Sequence, residues 1–321
     1  MTVHCYQQLA QALQNGPAVL ATVVNSKGSV PREIGAKMVI CPDGRIFNTI
    51  GGGAGEAKVI NTAMKVLTTG EKQLVEIDLT GSQTRETQGI CGGMMQVWLE
   101  RWSGEDAINL VQEILKRLES GQSVTVVTPL SSDHNPYIVD TVPKLDHAFI
   151  ETLQPSPILL IVGAGHVAEQ LAKVAHLIGY QIMIQDDRIS WANPQRYPQA
   201  THIFNEPIST TLEQLAHYEQ MYVALVTRGY KYDLEALEAL LERTLPCQYI
   251  GMIGSQKRVI QVYQNIRSQS DRLSSIYAPI GLDIGALTPE EIAVSICAEL
   301  ILVRRGGTGK PLRDALRQKL G

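Results

Sequence analysis

Residues 158–179 read ILLIVGAGHVAEQLAKVAHLIG. The run Ile158 to Gly163 is apolar and ends in glycine, which reads as a buried strand. Gly163-Ala164-Gly165-His166-Val167-Ala168 then follows the pattern G-x-G-x-x-A, and VAEQLAKVAHLIG continues as a helix. The pattern alone is weak; its place between a strand and a helix gives it weight. Gly163 permits the tight turn, Gly165 lets a ligand phosphate come close to the backbone, and Ala168 lets the helix pack closely on the strand. The first helical turn supplies N–H groups and the positive end of the helix dipole. Asp186 and Asp187 end the next strand-like run, about 20 residues on, where an acid that binds a ribose usually stands. A tight strand-to-helix turn with no ligand is the alternative reading.

Outward from this stretch, the second half alternates strictly. Strand-like runs at Gln181–Asp186, Thr201–Asn205, Tyr222–Thr227 and Tyr249–Gly254 have helix-like runs between most of them. Such alternation predicts a right-handed, parallel, Rossmann-like sheet of order 3-2-1-4-5. Ligands of such sheets sit outside the carboxyl ends of the strands, between strands one and four. Arg228, at the end of the fourth strand, faces that crevice in this reading and could hold an oxyanion bidentately. An ordinary surface arginine is the alternative. The fifth strand ends in Gly254-Ser255, with Lys257 and Arg258 in the next helix, where cations oppose the dipole unless an anion is bound. Thr288-Pro289-Glu290-Glu291 reads as a capping box opening a last helix, and Cys297 lies on that helix's apolar face.

The first half has a different grammar. A helix-like run, His4–Gln14, precedes strand-like runs at Ala18–Val24, Met38–Ile40, Arg45–Ile50, Leu74–Leu79, Met94–Glu100 and Val124–Leu130. One more helix, EDAINLVQEILKRLES, separates the last two. This order predicts an α+β domain with a mixed sheet. The expected division is an N-terminal α+β domain over 1–145, a proline-punctuated linker over 146–157, and a Rossmann-like domain with a C-terminal helix over 158–321. The fold class is therefore α/β. Three glycine-rich loops mark the first half: GSVPREIGAKM with Arg32 and Lys37, IGGGAGE with Gly52 and Gly53, and GICGGM with Cys91. A thiol near cations and loose backbone would suit a sulfur- and phosphate-bearing ligand. A small buried cysteine at a strand start is the alternative. IGGGAGE reads as backbone for close approach, because Glu56 in the first helical turn already complements the dipole. A purely structural turn stays open there.

Composition bounds the rest. A chain of 321 residues predicts two domains. A net charge of −4 argues against nucleic acid and anionic membranes as partners. Five widely spaced cysteines without C-x-x-C suit reduced thiols in a cytoplasm. Seven histidines show no metal-ligand spacing, so no tight structural metal is expected. No apolar run approaches the ~20 residues of a membrane span, and no signal peptide is read at the amino terminus. The basic tail from Arg304 reads as a solvated end, with contact to an acidic partner as the alternative.

Across nearly its whole length the chain resembles the XdhC/CoxI family of molybdenum-cofactor chaperones. The resemblance rests on GSVPREIGAKM, IGGGAGE, ICGG, IVGAGHVAEQLAKVA, Asp186-Asp187-Arg188, YIGMIGSQKR and PIGLDIGALTPEEIAVSICAELI. It implies transient binding of the molybdenum cofactor (molybdopterin), its protection and sulfuration, and delivery to a xanthine dehydrogenase-type molybdenum hydroxylase apoenzyme. A cysteine desulfurase is a further implied partner, and the chain is expected to form a homodimer. It implies an accessory factor with no catalytic residues. The expected cofactor-binding set is Gly163, Gly165, His166, Ala168, Asp186, Asp187, Arg228, Gly254 and Ser255, with Arg32, Lys37, Gly52, Gly53 and Cys91. Two departures stand out: Ala54 occupies a position the family usually gives to cysteine, and Arg228 replaces a histidine-like position. Both put a thiol- or histidine-dependent step in doubt and leave phosphate binding intact. The alternatives are an NAD(P)-binding oxidoreductase, for which His166 is the one proton donor in view, and a nucleotide-binding regulatory module.

Overall fold

Two units make up the chain, Met1–Pro155 and Ser156–Gly321. The structure is a computed structural model, and it describes residues 2–79, 92–131, 134–266 and 271–314. No helix among the described residues is long and apolar enough to cross a membrane.

The first unit contains α1 (Thr2–Leu13), β1 (Ala18–Lys27), β2 (Lys37–Ile40), β3 (Ile46–Phe47), α2 (Gly53–Thr69), β4 (Gln73–Asp78) and β5 (Met94–Trp102). These are followed by α3 (Gly104–Glu119), β6 (Val124–Pro129), β7 (Tyr137–Val139) and β8 (Ala148–Leu153). Its main sheet has the order β3-β2-β1-β5-β4. The expected mixed sheet is instead antiparallel at every described pair. β3 and β4, the strands that α2 connects, lie at opposite edges, so this helix makes no crossover between parallel neighbours. β1 is central. Leu20 packs toward α1 and α3, while Val19 and Ala21 pack toward α2. Burial on both faces explains why β1 begins as a continuous apolar run without alternation.

A second sheet, β7-β6-β8, completes this unit. Residues 148–153 fall inside the expected linker yet form β8, paired with β6 from Val124↔Leu153 to Pro129↔Ala148. Leu153 and Val126 are buried in the α1/α3 core, which fastens the segment to the first unit.

The second unit contains β9 (Ile158–Val162), α4 (His166–Leu177), β10 (Gln181–Gln185), β11 (Ala200–Phe204), α5 (Ile208–Gln214) and β12 (Met221–Leu225). It continues with α6 (Tyr230–Leu241), β13 (Tyr249–Met252), α7 (Gln256–Asn265) and α8 (Pro289–Arg305). The sheet runs β11-β10-β9-β12-β13, all parallel, which is the expected 3-2-1-4-5 Rossmann-like order. α4 and α8 cover one face through Ala168, Leu171, Ile296, Cys297 and Leu300. α5, α6 and α7 cover the other through Leu212, Leu237 and Val262. The capping box at Thr288 and Glu291 opens α8 as expected. Tyr249 donates to Glu299 of α8, and the Gly281 N–H donates to the same carboxylate.

Candidate functional site

The strands β9, β10 and β12 end side by side, and the turn after β9 leads directly into α4. Gly163 has φ +104, and a Cβ there would stand 2.5 Å from the Val226 carbonyl oxygen. Only glycine meets both conditions. Gly165 differs. Its φ is −78, and a Cβ would meet nothing within 4 Å. Neither backbone conformation nor packing calls for glycine there, and no side chain caps the helix at that residue. The loop thus leaves open space over the first turn of α4, where N–H groups and the dipole favour an anion. Ala168 is fully buried in the α4 core, consistent with close helix–strand packing.

The two aspartates after β10 have separate roles. Asp186 is buried. Its Oδ2 accepts the Ala164 N–H at 2.8 Å and Arg188 Nη2 at 2.7 Å; its Oδ1 accepts Arg188 Nε at 2.8 Å and the Arg188 N–H at 3.0 Å. The carboxylate expected at a ribose is therefore engaged inside the protein, where it fastens the glycine loop. Burial is the largest influence on its carboxyl and pushes upward, but the hydrogen bonds from Arg188 and Ala164 outweigh it and hold the pKa at about 2. Asp187 is 56% exposed and pairs bidentately with Arg228 at 2.7 and 2.9 Å. The Arg228 guanidinium lies 4.0 Å from the Tyr232 ring centre and also donates to the Tyr232 hydroxyl. Arg228 faces the crevice as expected, but its charge already has carboxylate partners, Asp187 and, at 3.6 Å, Asp186.

These groups line a cavity of about 200 Å³ at the strand ends. Gly163, Asp187, Asn205, Arg228, Tyr232 and Glu235 contribute to it, with Val162, Pro207 and Ile208 as apolar wall. His166 opens α4 and meets Trp191 edge-on at 5.7 Å. Trp191 in turn holds Arg188 at 5.0 Å and Arg196 at 4.5 Å from its ring centre. Arg196 also bonds Glu169 in the first turn of α4. Sequence reading missed Trp191, Arg196, Asn205, Tyr232 and Glu235. Tyr232 carried one signal, standing four residues after Arg228 at a helix start; Arg196 and Asn205 carried none.

The end of β13 stays apart from this cavity. Ser255 caps α7 by accepting the Arg258 N–H at 3.3 Å, and Gly254 packs against the Arg258 side chain. Arg258 itself turns inward to the fully buried Asp233 at 2.6 Å and to Thr227, whose hydroxyl donates to Asp233 at 2.7 Å. Burial, the largest influence, raises the Asp233 pKa in spite of these partners.

In the first unit the IGGGAGE loop is a backbone cradle, and its occupant is the chain's own carboxylate. Glu56 accepts the N–H groups of Ile50 at 3.0 Å and Gly52 at 3.1 Å, and the Thr49 hydroxyl. Burial, the largest single influence, raises its pKa, but these bonds outweigh it and hold the carboxyl below its ordinary value. Gly53 begins α2, and Arg32 braces the loop by donating to the Thr49 carbonyl. Glu56→Ala should lower stability by about 1–3 kcal/mol, because N–H groups lose their acceptor. A urea titration with an unchanged m value would show it. Lys37, expected at a ligand, is buried and paired with Glu151, so it joins β2 to β8. A Cβ at Gly93 would lie 2.4 Å from the Ser29 carbonyl, so the GSV and GG segments approach backbone to backbone.

Cys91 lies outside the described residues. Of the described cysteines, Cys5, Cys41 and Cys297 are buried. Burial pushes the Cys5 thiol up to about 11 and the Cys297 thiol up to about 12, and raises Cys41 as well. Among the described residues no group of three or more His, Cys, Asp or Glu side chains could hold a metal ion.

Two family models match the chain: the XdhC Rossmann domain over residues 159–300, and the XdhC and CoxI family over residues 12–78. "Uncharacterized protein YqeB" of Escherichia coli is 27% identical over 92% of this chain, which spans 45% of that relative's length. A protein of Bacillus subtilis named as a probable xanthine dehydrogenase subunit is 27% identical, with 90% of this chain and 93% of the relative covered. "Molybdenum cofactor insertion chaperone PaoD" of Escherichia coli is 24% identical, with 92% and 86% covered. A crystal structure named for a xanthine dehydrogenase from Bacillus halodurans matches with a TM-score of 0.82 and 27% identity, covering 94% of this chain and 96% of that one. The two models, the strand order and the full-length structural match agree: this chain belongs to the XdhC/CoxI family.

Proposed function

We propose that the chain is an accessory protein that binds the molybdenum cofactor, protects it, and delivers it to a xanthine dehydrogenase-type hydroxylase. The observation that carries this reading is Gly165, a glycine that neither its φ nor its neighbours require, standing over an uncapped helix start. A ligand phosphate is the physical reason for such a residue. The PaoD likeness supports the choice of cofactor. The residues present fit the organic part of that group. The N–H groups at the start of α4 suit its phosphate, and the cavity beside Asp187 and Arg228 suits a ring. When bound, the cofactor carries the molybdenum that the hydroxylase uses for its own chemistry. Cys5, Cys41 and Cys297 are buried, and burial raises each thiol above its ordinary value. In this account the chain holds the cofactor by its organic portion, in a cytoplasm, as a homodimer that also meets a cysteine desulfurase.

The test is delivery. Cofactor released from a donor would be offered to apo-hydroxylase with and without the chain, and recovered hydroxylase activity measured over time. A several-fold gain in yield with the chain is expected. Equal yields in both arms would contradict delivery.

A further inference from the structure

We infer that the cavity at the strand ends takes a planar, uncharged nitrogen heterocycle with N–H donors on its edge, stacked on Arg228, while phosphate stays outside. Charge decides against an anion in the cavity itself. Two arginines and two aspartates offset one another: Arg228 pairs bidentately with Asp187 and lies 3.6 Å from Asp186, which Arg188 also holds. That leaves Glu235, a carboxylate on the lining with no hydrogen bond or ion pair among the described residues. The lining thus has an excess of negative charge and repels a phosphate. The same groups favour donors. Asn205 Nδ2 is spent on the Asp186 carbonyl at 2.9 Å, which leaves its side-chain oxygen as an acceptor beside the Glu235 and Asp187 carboxylates.

Shape points the same way. Asp187 fixes the plane of the Arg228 guanidinium, and Tyr232 covers one of its faces at 4.0 Å. Arg228 lines the cavity with its guanidinium held in this way, and planar rings stack on guanidinium planes. The volume, about 200 Å³, is below the ~300–1,000 Å³ of sites that enclose a drug-sized ligand. It suits one ring system. Nucleobases and the pterin ring share this chemistry: a flat heterocycle with an amino or imino edge. The inference rests on the proposed function only in including pterin among the candidates.

The experiment is calorimetric titration of the full chain with 6-hydroxymethylpterin, guanosine, adenosine and cytidine, and with inorganic phosphate as competitor. Glu235→Gln and Tyr232→Ala would be run in parallel, with circular dichroism to confirm folding; Glu235 has no partner to lose among the described residues, so its variant should fold. At least one heterocycle should bind saturably, phosphate should not displace it, and Glu235→Gln should weaken it about tenfold or more. Tightest binding by 6-hydroxymethylpterin would assign the cavity to the pterin; tightest binding by a nucleoside would assign it to a nucleotide. Binding by none of them, displacement by phosphate, or unchanged affinity in both variants would overturn the inference. Heterocycle binding by a chain that never carries cofactor would refute the chaperone reading alone. Cofactor binding that ignores Glu235→Gln would refute this inference alone.

Discussion

Gly163→Ala is expected to lower the thermal midpoint of the second unit by about 10 °C. Two effects add. The residue has φ +104, a conformation costing a non-glycine residue about 1–3 kcal/mol. A Cβ would also lie 2.5 Å from the oxygen and 2.9 Å from the carbon of the Val226 carbonyl. Those are backbone atoms, so β9 and β12 must separate locally, at a cost of about 1–3 kcal/mol. For a unit of this size each kcal/mol moves the midpoint by roughly 2–4 °C. Gly165→Asp, two residues on, should behave in the opposite way. Its Cβ enters open space, and aspartate is a favoured residue at a helix start. Stability should hold or rise by a few tenths of a kcal/mol, while a carboxylate now stands where a phosphate would bind. Calorimetric scans of both variants check the contrast. Equal loss of stability in the two would mean that the loop is a packed turn throughout.

The second large effect belongs to Asp186. Asp186→Ala removes the acceptor of four hydrogen bonds, frees Ala164 N–H and leaves Arg188 without its carboxylate. Breaking a buried pair from one side costs about 3–5 kcal/mol. The partial exposure of Arg188 places the expected loss near the lower end, at about 3 kcal/mol. The pH dependence has a definite sign. The folded pKa, about 2, lies below the ordinary 3.8. Its contribution is therefore fully present above the ordinary value and is lost as pH falls through the folded one. The size is about 2 kcal/mol. The stability advantage of the wild type over Asp186→Asn should shrink by that amount between about pH 5 and pH 2. Urea midpoints across that range test it. A constant advantage would mean that Asp186 does not titrate as the geometry requires.

What the sequence made legible follows from what is local. The β9–turn–α4 unit is contiguous, and its glycines, periodicity and helix start lie within one short stretch. The strand order of the second unit follows from strict alternation, because a crossover helix leaves little choice of hand. The first sheet was less legible. Its pairings, such as β1 with β5, join segments far apart in sequence, and the mixed arrangement expected is antiparallel. β8 was hidden because only Leu153 among its six residues is fully buried, so its period is faint. The site shows the same limit. Asp186 and Asp187 are chemically identical neighbours, and only the fold turns one inward to Arg188 and the other outward to Arg228. Glu56 was legible as a helix-start acid, but its occupation of the IGGGAGE cradle depends on the path of residues 49–52. Lys37 looked like a loop cation, and its partner Glu151 lay inside what read as a linker.

The most direct measurement is the pterin and molybdenum content of the chain after anaerobic purification from a host that makes the cofactor. Wild type, Gly165→Asp and Cys91→Ala would be compared, with released pterin read by fluorescence and metal by mass spectrometry. Near-stoichiometric pterin is expected in wild type, with its loss in Gly165→Asp at undiminished stability. Pterin absent from a folded wild type, or present equally in Gly165→Asp, would contradict the proposed function.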